Sequence, residues 1–153
     1  MKIPMLDLSR QHTVARAELL SAVDRVIEHN QFILGTEVNQ FELELSSSVD
    51  GAHVIGVSSG TDALLVALMA MGVGPGTEVV VPAFSFFATA GVVARLGATP
   101  VFVDICPKTF NVDDRSILQG LSAQTRAVMP VYLFGQMTTI QPITYEGTEI
   151  PII

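Results

Sequence analysis

The chain has 153 residues, 49% of them hydrophobic and 15% charged, which is enough for one domain with a core and too short to expect two. A net charge of −7 supplies no cluster of Lys and Arg, so neither nucleic acid nor an anionic lipid surface is an expected partner. The single cysteine, Cys106, excludes an intrachain disulfide and a thiolate metal cluster and fits a reducing, cytoplasmic compartment.

The N-terminal residues meet charge and Pro4 before any apolar run develops, so no signal peptide is expected. The longest apolar stretch, 63–73, falls far short of the roughly 20 residues that span a bilayer.

Val14, Ala17, Leu20, Val23 and Ile27 recur at spacings of three and four, which predicts an amphipathic helix over 13–29. After a loop at 30–35, Thr36 can cap a second helix with Val38, Phe41 and Leu45 on one face. Both helices are expected to pack against the body of a larger domain.

An alternation follows: an apolar run at 53–57, a helix at 61–71, a β-branched run at 78–81 and a helix at about 86–96. It continues with a strand at 100–104, a helix at 113–121, a strand at 127–134 and a final apolar run at 150–153. Nearly all-apolar strands alternating with helices predict an α/β fold, a mainly parallel sheet flanked by helices. Gly72, Gly74, Gly76 and Gly97 stand where helices should end, and no second domain is expected.

Two segments could carry chemistry. Val57-Ser58-Ser59-Gly60-Thr61-Asp62-Ala63-Leu64 places a small-residue turn between a predicted strand and a helix N-terminus. There, backbone N–H groups without helical partners and the positive end of the helix dipole can hold a phosphate. Ser59 or Thr61 could equally serve as a helix cap. Pro82-Ala83-Phe84-Ser85-Phe86-Phe87-Ala88-Thr89 follows a buried strand, at the carboxyl end where open α/β sheets bind ligands. A phenylalanine there could stack on a flat ring or simply fill the core.

Taken in order and spacing, SSGTDAL, PAFSFFATAGVVARLGATPVFVDI and PVYLFGQ resemble the DegT/StrS-type family of pyridoxal 5'-phosphate (PLP) dependent sugar aminotransferases, as does the upstream FILGTEVNQFELE. The resemblance runs from about Phe32 to Gln136. It implies part of a fold-type-I PLP-binding large domain, with residues 1–153 forming a single partial domain. Ser59, Gly60 and Thr61 would then hold the cofactor phosphate, and Phe86 would stack on the pyridine ring. It further implies a nucleotide-linked keto sugar and an amino-acid donor as substrates, and a homodimer with the 30–35 loop close to the interface.

Such chemistry needs a lysine that joins the cofactor and moves a proton, and an acid that pairs with the ring nitrogen. The only lysines are Lys2, near the terminus, and Lys108, in a Pro-Lys-Thr turn. Neither matches the family's motif, so no catalytic residue is assigned, and the chain by itself is expected to lack aminotransferase activity. The run at 149–153 resembles the strand that in the family leads into the acidic motif, which suggests a truncated end. The stretch at 139–147 is interrupted by Pro142 and Gly147 and is poor in helix character.

Asp104 and Asp113 read as a strand-end residue and a helix cap, and His12, His29 and His53 show no metal spacing. Three alternatives remain in view. One is a PLP-dependent sugar dehydratase of the same family, and another is a non-catalytic remnant. The third is a nucleotide-binding domain at 72–76, which Pro75 and the helix-before-strand order both disfavour.

Overall fold

A computed structural model describes residues 3–153; Lys2 lies outside them. The chain divides into two compact units between Gly56 and Val57.

In the first unit, α1 spans Ser9–His29 and stops where Asn30 turns left-handed at φ 54°. Helix α2 spans Thr36–Ser48. Its N-cap is Gly35, one residue earlier than the expected Thr36, whose hydroxyl instead donates to the Gln31 side chain at 3.1 Å. Close approach explains the shift, because a Cβ at position 35 would stand 2.4 Å from the Gln31 carbonyl oxygen.

An Arg25–Glu37 ion pair at 3.0 Å links α1 to α2, and the Gly56 N–H donates to the Glu42 carboxylate at 2.7 Å. Neither helix contains a buried residue, and the predicted stripe of Val14, Leu20, Val23 and Ile27 is exposed. Residues 53–57 form no strand, since no neighbouring strand among the described residues pairs with them.

In the second unit, three parallel strands lie in the order β2-β1-β3, where β1 is Glu78–Pro82, β2 is Thr99–Val103 and β3 is Thr125–Val128. Helices α3 (Gly60–Ala70), α4 (Phe87–Arg95) and α5 (Asp114–Gly120) alternate with them. β1 is central, so Val79, Val80 and Val81 are all buried although their side chains point alternately to opposite faces.

Val79 and Val81 pack with Leu68, Val92, Val93, Ala127 and Met129 into one core on the α3–α4 face. Val80 packs with Val103, Ile117 and Val128 into a second core on the α5 face. Pro100 is accommodated because β2 is an edge strand.

The predicted strand at 127–134 is displaced and shortened. Its ladder begins at Thr125 and fails at Pro130, which has no N–H to donate, and a short 3-10 turn follows at Leu133–Gly135 with Phe134 left-handed at φ 56°. The segment poor in helix character is a β-hairpin, β4 (Ile143–Tyr145) paired antiparallel with β5 (Thr148–Ile150). Glu146 and Gly147, both at positive φ, make its two-residue turn, and Ile143 and Ile150 close the second core.

The final apolar run therefore splits. Ile150 belongs to the hairpin, whereas Ile152 bridges in parallel to Val128, through Val128 N–H to the Pro151 carbonyl at 2.9 Å and Ile153 N–H to the Val128 carbonyl at 3.0 Å.

Candidate functional site

Helix α3 opens on Ser59, whose extended backbone and side-chain oxygen cap the Asp62 N–H at 3.1 Å. The same hydroxyl donates to the Asp62 carboxylate at 3.0 Å, and the Ser58 hydroxyl donates to that carboxylate as well. These bonds from Ser58 and then Ser59 hold the Asp62 carboxyl below its ordinary pKa. Among the described residues, the Gly60 N–H, the Thr61 N–H and the Thr61 hydroxyl have no acceptor. They form an unspent set of donors at the positive end of a helix.

Gly60 is not required by packing or by backbone conformation. Its φ is ordinary, and a Cβ placed there would meet no protein atom within 4 Å. Its lack of a side chain leaves the α3 terminus open to close approach from outside.

Phe86 is the residue just before α4, with extended backbone at φ −81° and ψ 149°, and its ring is 72% exposed. α4 is anchored beneath it by the buried Thr89, whose N–H donates to the Phe86 carbonyl at 3.1 Å and whose hydroxyl lies 2.6 Å from that of Ser85. Of the neighbouring aromatics, Phe84 packs against Phe110 with ring centroids 5.9 Å apart and Phe87 is exposed.

Folding brings the two motifs together. Gly60, Thr61 and Phe86 line one cleft of about 580 Å³, in the size range of small-molecule sites. Thr89 and Met129 also line it, as do Pro130, Val131 and Tyr132 from the segment after β3. None of the lining residues is charged.

The donors at Gly60 and Thr61 suit a phosphate, and Phe86 and Tyr132 suit the faces of a flat ring, so the residues present fit a phosphorylated aromatic cofactor. Ser59 is in the neighbourhood but not on the cleft wall, and its hydroxyl is occupied by Asp62. Lys108 is in the exposed turn after β2, away from the cleft, and no acid faces the cleft. Among the described residues there is no group of side chains that could hold a metal.

Sequence reasoning missed Tyr132, whereas Thr89 closed the second candidate segment without a role of its own. Tyr132 lay within a predicted strand, and Pro130 was the one signal that the strand stopped before it. The Gly72–Gly76 run precedes β1 at the opposite, amino end of the sheet, which removes it as a phosphate cradle.

A model of the DegT/DnrJ/EryC1/StrS aminotransferase family matches residues 14–152. The chain is 40% identical over 153 residues to UDP-2-acetamido-2-deoxy-3-oxo-D-glucuronate aminotransferase of Pseudomonas aeruginosa, covering 99% of this chain and 43% of that protein. It is 46% identical over 143 residues to a pleiotropic regulatory protein of Geobacillus stearothermophilus, covering 94% and 38%.

Its fold is similar to that of Streptomyces venezuelae DesV in complex with a ketimine intermediate, at TM-score 0.86 and 36% identity over 90% of this chain and 37% of that one. Bacillus subtilis NtdA with bound PMP gives TM-score 0.84 at 36% identity, covering 90% and 32%. The chain thus spans about two fifths of the curated relatives it matches. On the match to residues 14–152, the chain belongs to the DegT/DnrJ/EryC1/StrS aminotransferase family.

Proposed function

We propose that this chain forms the phosphate- and ring-binding part of a PLP-dependent aminotransferase acting on a nucleotide-linked keto sugar with an amino acid as donor. The observation that carries the reading is the meeting of unspent α3 donors, at Gly60 and Thr61, with the Phe86 ring in one uncharged cleft. The family's aminotransferases of UDP- and dTDP-linked sugars support the substrate class.

The Gly60 and Thr61 N–H groups and the Thr61 hydroxyl bind the phosphate and so fix one end of the cofactor. Phe86 would pack on the ring and orient it, and Met129, Pro130 and Val131, which line the same cleft, would help exclude water. When bound, PLP supplies an electron sink for amino-group transfer. Ser59 acts indirectly in this scheme, by fixing the first turn of α3.

Residues 1–153 on this reading are part of one PLP-binding large domain, in a cytoplasmic homodimer. Exposed Phe32, Ile33 and Leu34 support a contact with a second copy near the 30–35 loop. No helix among the described residues is long and apolar enough to cross a membrane.

The test is a spectroscopic titration of the 153-residue chain with PLP and, in parallel, with pyridoxal, which lacks the phosphate. Charge-assisted bonds at α3 predict PLP binding about tenfold tighter or more, a difference that Thr61→Ala should narrow. Equal affinities for the two compounds would overturn the reading.

A further inference from the structure

The segment after β3 that lines the cleft with Pro130, Val131 and Tyr132 is a loop with little to hold it. Its internal hydrogen bonds are local, from Gly135 N–H to the Tyr132 carbonyl at 3.0 Å and from Gln136 N–H to the Leu133 carbonyl at 3.3 Å. Phe134 and Gly135 are both left-handed, and Phe134 is almost fully exposed. Among the described residues, one hydrogen bond joins residues 130–137 to another part of the chain: the Asn111 side-chain amide donates to the Gln136 carbonyl at 2.9 Å.

Asn111 is suited to serve as an anchor. It is 2% exposed and sits in the β2–α5 loop, where its carbonyl accepts the Cys106 N–H at 2.9 Å and Phe110 N–H bonds the Cys106 carbonyl at 2.8 Å. Its side-chain oxygen is buried without a partner. An asparagine kept for burial alone would be better replaced by an apolar residue, because an unmatched acceptor lowers stability. The amide has one end unsatisfied and the other on the loop. Turning it over would set its oxygen against the Gln136 carbonyl, two acceptors facing each other.

We propose that Asn111 is a positioning residue for the cleft: by holding the Gln136 carbonyl it fixes the loop that presents Tyr132 to the bound ring. This assignment rests on the proposed PLP site for its functional consequence and on the loop geometry alone for its structural one.

Asn111→Leu tests it, because leucine keeps the branching and heavy-atom count of asparagine, at a larger volume, while removing both the tie and the orphaned oxygen. Tyr132 and Tyr145 are the only tyrosines, so fluorotyrosine labelling gives one fluorine resonance on the loop and one on the hairpin. Asn111→Leu is expected to shift or broaden the Tyr132 resonance, leave Tyr145 in place, keep or raise the melting temperature, and weaken PLP binding about tenfold. Gln136→Ala keeps the accepting carbonyl and is expected to change none of these.

An unmoved Tyr132 resonance would overturn the proposal. So would a general loss of stability that moved both resonances, here or in a second variant, Asn111→Ser. If the unaltered chain failed to bind PLP, the proposed function would fall, and the Tyr132 resonance would still decide whether Asn111 holds the loop.

Discussion

The Ser59 hydroxyl accepts the Asp62 N–H at 3.1 Å and donates to the Asp62 carboxylate at 3.0 Å, so the one proton this hydroxyl can donate is spent on that aspartate. The proposed phosphate site at α3 therefore draws on the donors of the next two residues, Gly60 and Thr61, and a negative charge is held beside it.

Neutralising that charge should help an anion and harm the helix. Asp62→Asn is expected to tighten PLP binding about two- to fivefold at low salt, the scale of an exposed charge interaction, and to lower the melting temperature. The folded Asp62 carboxyl titrates below its unfolded value of about 3.9, so its contribution is present above that value and is lost as pH falls through the folded one. Melting curves of both proteins should differ most near pH 6 and converge on acidification to about pH 3.

Gly60→Ala separates binding from stability. Alanine gains up to about 1 kcal/mol in helix propensity and meets no protein atom, so the denaturation midpoint should hold or rise. PLP affinity should fall about tenfold or more, because the new methyl group occupies the approach to the α3 donors. A fall in stability with unchanged affinity would mean that Gly60 serves the fold.

Gly120→Ala should behave in the opposite way. A Cβ there would lie 2.6 Å from a Val103 methyl and about 3.4 Å from a Val80 methyl, between α5 and the sheet. Overpacking of this kind costs about 1–3 kcal/mol, and urea denaturation should show a lower midpoint without a change in slope.

Asp113→Ala removes the cap of α5, where the carboxylate accepts the Ser116 N–H at 2.8 Å. The expected loss is about 0.5–2 kcal/mol at neutral pH. Bonds from Ser116 depress the Asp113 carboxyl, so the deficit should persist above about pH 4 and shrink at lower pH as the native carboxylate is protonated. Chemical denaturation at pH 7 and pH 3 measures the difference.

The helices and the central strands were legible because their signals are local. The three- and four-residue spacing of α1, the Val79-Val80-Val81 run and the Asp113 cap each state their element within a few residues. Gly60, Thr61 and Phe86 could be singled out as candidates because the linked motifs resemble a known family and because each stands at a carboxyl edge or helix start, and their binding role is part of the proposed function.

The errors lay where partners decide. Residues 53–57 have strand character but no ladder neighbour; residues 139–147 are poor in helix character as read, but their hairpin went unseen because the Ile143–Ile150 pairing cannot be seen in either half alone. Pro130 ended β3 early and turned Tyr132 from an expected strand residue into part of the cleft wall.

By itself the amino-acid sequence determined the α/β class, the order of the helices and the parallel strands, and the positions of the α3 and α4 termini. Periodicity, caps and β-branched runs act over a few residues and need no distant contact. Only the tertiary structure decided that Thr61 and Phe86 share a cleft, that Ser59 is spent on Asp62, and that Asn111 reaches a loop 25 residues away. Those relationships depend on which strands pair and which faces pack, and burial and hydrogen bonding settle them across the whole sheet.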